Sequence, residues 1–194
     1  MSDRVVAVLA RPNPALAPGL VDAMLTDVID VVTDTELVDP AIVVAAGYDG
    51  VTWPNIETVA VGPDPTIAEL LLAIDAPHAT AVAAVVGDVP DLPVLLIGKL
   101  FSALAGPRGA AVAACPAVDG SLVAVAAMWP LSGWLRDAVI RLDDPGALDA
   151  MRSAAPLVEL SVGPGWRRIR READLARLDP GLEGWEATRA YLTQ

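Results

Sequence analysis

The stretch Ala81–Pro93, AVAAVVGDVPDLP, decides how this chain is read. Six small or branched apolar residues run without interruption into Gly87-Asp88, and Pro90, Asp91 and Pro93 follow. A continuous apolar run of this length marks a strand covered on both faces, as the strands of a parallel sheet are. It ends on a carboxylate, in a loop stiffened by prolines. Asp88 therefore has two readings. It holds a divalent metal or a phosphate-linked ligand, since Mg²⁺ commonly takes one or two protein carboxylates plus substrate phosphates, or it only turns the chain.

The pattern recurs on either side. RVVAVLA (Arg4–Ala10), AIVVAAG (Ala41–Gly47) and ETVAVG (Glu57–Gly62) read as further strands. Between the first two, APGLVDAMLTDVIDVVTD places Val21, Leu25, Val28, Ile29 and Val32 at helical spacing. Pro18 suits its first turn, and Asp22, Asp27, Asp30 and Asp34 fall to the solvated face. DPTIAELLLAID predicts a helix capped by Asp64, with Pro65 at its first position. DLPVLLIGKLFSALAG predicts another, capped by Asp91 and stopped by Gly106. GAAVAAC and SLVAVAAM read as two strands joined by PAVDG, and DPGALDAMRSAA as a helix. Leu157–Val162 is expected as the last strand, and READLARL and EGWEATRAYL as terminal helices. Apolar strands alternating with helices make an α/β protein, a Rossmann-like three-layer sandwich with a mostly parallel central sheet. No repeat or linker divides it, so residues 1–194 are expected to form a single domain. Ligands of such sheets bind beyond the carboxyl ends of the strands. Asp88 and the loop after Ala10 lie on that edge.

Composition narrows the partners. The formal net charge is −12, with 54 % hydrophobic and 20 % charged residues. Non-specific nucleic-acid binding depends on Lys and Arg neutralising phosphates, so nucleic acid and anionic membrane surfaces are both disfavoured. A small anionic ligand would need a local basic site. No apolar stretch reaches the roughly 18 uncharged residues of a membrane span, and MSDRVVAVLARPNP is too short in its apolar part for a secretory signal. The expectation is a soluble cytoplasmic protein, with an apolar fraction that leaves room for a homodimer. Cys115 is the only cysteine and reads as a buried, inert thiol. His78 is the only histidine and has no metal-cluster partner. Lys99 should reach solvent from an apolar helix. Trp129, Trp134, Trp166 and Trp185 serve either core packing or a pocket or oligomer contact.

VVGDVPDLP, followed by a helix, a strand and PAVDGSLVAVAAMWP, resembles the small bacterial nucleotidyltransferase- and glycosyltransferase-like proteins of the GT-A fold. Their relatives include molybdenum-cofactor guanylyltransferase and 2-phospholactate guanylyltransferase. The order of features matches along nearly the whole chain, and GDVPDL is the most specific piece. The resemblance implies binding of a nucleoside triphosphate or nucleotide-sugar, with Asp88 at the position of a catalytic aspartate that holds Mg²⁺ or Mn²⁺. It implies in-line transfer driven by positioning and charge neutralisation.

Three departures cut against that chemistry. The family's Gly- and base-rich opening loop is here ARPNPALAPGL, in which Arg11 is the only basic residue. Pro12, Pro14 and Pro18 offer no N–H to a phosphate. The family's D-G-G becomes Asp119-Gly120-Ser121, which reads either as a ligand contact or as an ordinary hairpin turn. Alignment of the closing segment on Asp174-Leu175 puts Arg168 and Arg170 where metal-site acids would stand, and a guanidinium has only donors. The cluster Arg167, Arg168, Arg170 and Arg171 either grips phosphate or carboxylate groups or pairs with acids on an acidic surface. Arg170 within reach of Asp88 would mark a closed site.

Two functions remain. One is a nucleotidyl- or glycosyltransferase-like protein using Asp88, with Arg11, Asp119, Gly120, Arg168 and Arg170 on the ligand. The other is a non-catalytic descendant of the fold that acts in binding or assembly.

Overall fold

Strand β1 (Arg4–Ala10) is flanked by β2 (Asp39–Ala45) and β4 (Ala81–Val86), both parallel to it. Val8 stands opposite Ile42 on one side and Val85 on the other. These coordinates come from a computed structural model that describes residues 3–74, 76–105, 109–157 and 159–194. Among the described residues the sheet has seven strands in the order β3-β2-β1-β4-β6-β5-β7. β3 (Glu57–Val61) runs parallel to β2. β6 (Leu122–Met128) is antiparallel to both β4 and β5 (Val112–Pro116), and β7 (Leu160–Val162) is parallel to β5.

All six residues of β4 are buried, so both faces of the sheet's centre are covered and the sheet is a middle layer. α1 (Pro18–Thr33) packs on β1 and β2, α2 (Ile67–Ala73) on β3 and β4, and α3 (Val94–Ala105) on β5 and β6. The short helices α4 (Gly133–Asp137) and α5 (Ala147–Ala154) follow β6, and α6 (Glu186–Leu192) closes the chain. The core is built largely of Ala, Val and Leu, with Phe101 of α3 buried in it. Among the described residues, no helix is long and apolar enough to cross a membrane.

Several local expectations are corrected. Thr66, not Asp64, caps α2. Its hydroxyl accepts from the Glu69 N–H while the Glu69 carboxylate accepts from the Thr66 N–H, a reciprocal box that Asp64 lies too far upstream to make. READLARL forms a 3-10 helix over Glu172–Arg177, and α4 was not foreseen. The last strand is shorter than expected, and Gly106 lies outside the described residues. Asp27 is not on a solvated face. It is buried and accepts the N–H groups of Ala187 (2.8 Å) and Thr188 (2.9 Å), which anchors α6 to α1. Burial raises its pKa against the pull of those bonds. A second small core of Leu16, Leu20, Met24, Ile169, Leu178 and Trp185 seals this junction.

Candidate functional site: an arginine-locked carboxylate at the sheet edge

Two features of the fold carry Asp88 to the edge. β1 leads to β2 on one side while β4 returns on the other, so the chain reverses direction across the sheet between β1 and β4. A crevice opens at such a point. Gly87 lets β4 leave close beneath its neighbours: a Cβ there would lie 2.7 Å from Leu25 Cδ1 and 3.0 Å from the Leu9 carbonyl oxygen. Asp88 then sits two residues past the strand, buried, in a narrow recess shared with Leu9, Arg11, Asn13 and Gly87.

The segment after β7 crosses this edge and is pinned there by backbone bonds. Gly163 N–H donates to Ala114 O (2.8 Å), Trp166 N–H to Pro116 O (3.0 Å) and Ile169 N–H to Asp88 O (2.8 Å). Arg168 is held between the last two anchors. Its side chain is only 2 % exposed. Nε donates to Asp88 Oδ1 at 2.8 Å and Nη2 to Oδ2 at 2.7 Å, a parallel two-bond fork. Nη1 donates to the carbonyls of Leu122 (3.1 Å) and Leu142 (3.4 Å). Nη2 also lies 2.6 Å from Asp143 Oδ1. The arginine that closes on Asp88 is thus Arg168, while Arg170, whose approach to Asp88 would have marked a closed site, pairs with Asp143 and Asp119.

Asp143 is the residue the sequence reading missed. It receives Arg11, Arg168 and Arg170 together. In the sequence it is the first of two acids ahead of Pro145, where a turn is the ordinary reading. Arg11 turns inward to pair with it. Burial lowers the Arg11 pKa to about 10, although the Asp88 charge opposes the shift. Arg170 reaches Ser121 Oγ (2.9 Å), Asp143 (3.2 Å) and Asp119 (3.4 Å). Burial also lowers its pKa, with the neighbouring Arg168 charge acting the same way.

Asp119 and Gly120 form the β5–β6 turn. Asp119 Oδ1 accepts the Ser121 N–H (3.1 Å) and hydroxyl (2.5 Å). Burial works against its ionisation, but these bonds and Arg170 outweigh it and its pKa falls. Gly120 has φ +82°, and a Cβ there would lie 2.2 Å from the Pro145 carbonyl oxygen, so glycine is required.

Asp91 is not the cap of α3. It is buried and accepts Trp166 Nε1–H at 3.0 Å and the Arg167 guanidinium, whose Nε is 2.9 Å away. Arg167 lies over the Trp166 ring at 5.2 Å. Trp185 belongs to the second small core, and Trp129, Trp134 and Trp166 are partly buried against the main core. Cys115 is fully buried; desolvation pushes its thiol pKa up to about 12, which keeps it protonated and inert. His78 and Lys99 are exposed.

The residues present do not fit a divalent cation. Both Asp88 oxygens accept from the Arg168 guanidinium. Among the described residues, no group of three His, Cys, Asp or Glu side chains is placed to hold a metal. A cleft of about 320 Å³ opens beside α1, lined by Pro12, Pro14, Leu16, Val21, Tyr48 and neighbouring residues, and it shares Asn13 and Val21 with the Asp88 recess. Tyr48 donates its hydroxyl to Asp22 at 2.9 Å. Arg11 does not line this cleft.

No protein-family model matches the sequence, and no curated protein matches it. Solved structures do. A Desulfovibrio desulfuricans G20 protein assigned to the nucleotide-diphospho-sugar transferases superposes with a TM-score of 0.69 at 15 % identity, covering 100 % of this chain and 96 % of that one. The fold is that of the nucleotide-diphospho-sugar transferases. Rv0371c of Mycobacterium tuberculosis, solved in complex with manganese, gives 0.61 at 16 % identity over 100 % and 99 % of the two chains. A CMP:2-keto-3-deoxy-manno-octonic acid synthetase complexed with CTP gives 0.62 at 13 % identity, again over 100 % and 99 %. Identity this low establishes the shared fold, and the chemistry has to be read from the site.

Proposed function

We propose that this protein is a non-catalytic descendant of the nucleotide-diphospho-sugar transferase fold that works by binding a nucleotide or nucleotide-sugar without metal-assisted transfer. The observation that carries this reading is the Arg168 fork on Asp88. A buried guanidinium held by two carboxylates and two backbone carbonyls supplies the positive charge that a cation would supply. It is covalently fixed, offers no open coordination position and cannot act as a Lewis acid. The opening loop agrees. Its one arginine is turned into the charge cluster, and its prolines have no N–H for a triphosphate. The Pro12–Tyr48 cleft lies on the carboxyl edge beside β1 and β2, where Rossmann-like sheets bind ligands, and its volume suits a base or sugar ring.

A metal-dependent transferase is the second reading. It is favoured by neighbours of the same fold whose structures contain manganese or CTP. Thermal-shift and calorimetric titration with GTP, CTP, UDP-glucose and GDP-mannose separates the two, with and without Mg²⁺ or Mn²⁺. The expected result is stabilisation by at least one of these ligands, insensitive to metal and without turnover. Metal-dependent stabilisation accompanied by turnover would overturn the proposal. Indifference to all four ligands would overturn its binding half.

A further inference from the structure

The same edge of the molecule also holds arginines that the Asp88 cluster does not use. Between the β5–β6 turn and the segment after β7 lies a cleft of about 430 Å³. Its wall carries five arginines, Arg167, Arg168, Arg170, Arg171 and Arg177, against two acids, Asp119 and Asp174. Such a concentration stands out in a chain of net charge −12. Arg167 and Arg168 are committed behind the wall to Asp91 and Asp88. Arg171 and Arg177 are not committed in this way. Their side chains are 70 % and 56 % exposed, and both lean on the same Asp174 oxygen at 3.5 Å. That is well beyond the roughly 2.7–2.9 Å of a charge-assisted hydrogen bond. Asp174 is itself occupied, because its other oxygen accepts the N–H groups of Arg170 (3.1 Å) and Arg171 (3.2 Å). One carboxylate therefore orients two guanidiniums and satisfies neither. Beside them, the Nε–H of Arg170 is buried without a hydrogen-bond partner.

We propose that this cleft binds a phosphate-bearing small molecule, whose phosphate is gripped by the guanidinium groups of Arg171 and Arg177. A single arginine fork fills both oxygens of a carboxylate, whereas the oxygens of a phosphate group can take forks from two arginines at once. The volume leaves room for an organic portion beside the phosphate. The exposed Val118 and the buried Ala117 provide an apolar margin. The site stands apart from the Pro12–Tyr48 cleft, with which it shares no lining residue, so it does not rest on the nucleotide reading.

Titration calorimetry in chloride buffer of constant ionic strength tests it, with inorganic phosphate, pyrophosphate and citrate as probes. The wild-type protein and an Arg171→Gln/Arg177→Gln variant are compared, with circular dichroism confirming that the variant folds. The expected result is saturable binding of phosphate or pyrophosphate by the wild type, weakened by about tenfold or more in the variant. A Lys99→Gln variant, which removes an exposed positive charge outside both clefts, should bind pyrophosphate as the wild type does. Absence of saturable binding in the wild type, or equal binding by the double variant, would overturn the proposal. Citrate binding as tight as pyrophosphate binding would overturn the phosphate assignment.

Discussion

Two clusters on the same edge of the molecule pair aspartate with arginine, and they do opposite things. At Asp88 the partners are buried, the fork is parallel and close, and carbonyls take up the remaining donors. At Asp174 the carboxylate is buried but its two arginines are largely exposed and distant. A charge withdrawn from water must be fully paired where it lies. A charge left in water is hydrated already and stays available. The first cluster consequently closes a site, while the second leaves donors facing a cleft.

Removing Arg168 should have the largest effect. Arg168→Met leaves Asp88 and Asp143 without their shared partner, and urea unfolding should show a loss of about 3–5 kcal/mol. A loss below about 1 kcal/mol would mean that the buried fork is no more stabilising than a surface pair, and the contrast between the clusters would collapse. Asp91→Ala comes next. It strands the indole N–H of Trp166 and frees Arg167, and should cost about 2–3 kcal/mol by the same measurement.

The third prediction extends the burial argument to a titration. The folded-state pKa of Cys115 is raised, so its stabilising share is complete below the unfolded thiol value near 8.5 and is lost as pH rises toward about 12. The stability of wild type relative to Cys115→Ala should fall by about 2 kcal/mol between pH 8 and pH 10. A difference independent of pH would show that the thiol is not desolvated. The smallest effect is expected at the open cluster. Arg171→Gln and Arg177→Gln should each change stability by no more than about 0.5 kcal/mol. A larger change would make these arginines structural and bring the two clusters together.

Much of this edge was legible beforehand because it is written in local patterns. The six-residue run before Gly87 reads as a doubly covered strand, and β4 forms over it with Asp88 just past its carboxyl end. Asp119-Gly120 is a turn by its own chemistry. Misreadings arose where an aspartate had both a local and a distant use. Asp91 looks like a cap three residues ahead of α3, yet it takes Trp166 and Arg167. Asp27 sits among exposed acids in the sequence, yet it meets the backbone of α6. Asp143 gave no signal at all, because a pair of acids before a proline is an ordinary turn.

By itself, then, the amino-acid order determined an α/β fold with a mostly parallel central sheet and put Asp88 just past the carboxyl end of a buried strand. Those follow from hydrophobic periodicity and backbone chemistry within a few residues. Only the folded chain decided which arginine meets Asp88, since Arg168 lies eighty positions further on. Its arrival depends on three backbone bonds that fix the register of the closing segment. Shifted by two residues, that segment would bring Arg170 to the carboxylate instead, and nothing local distinguishes the two guanidiniums until burial does.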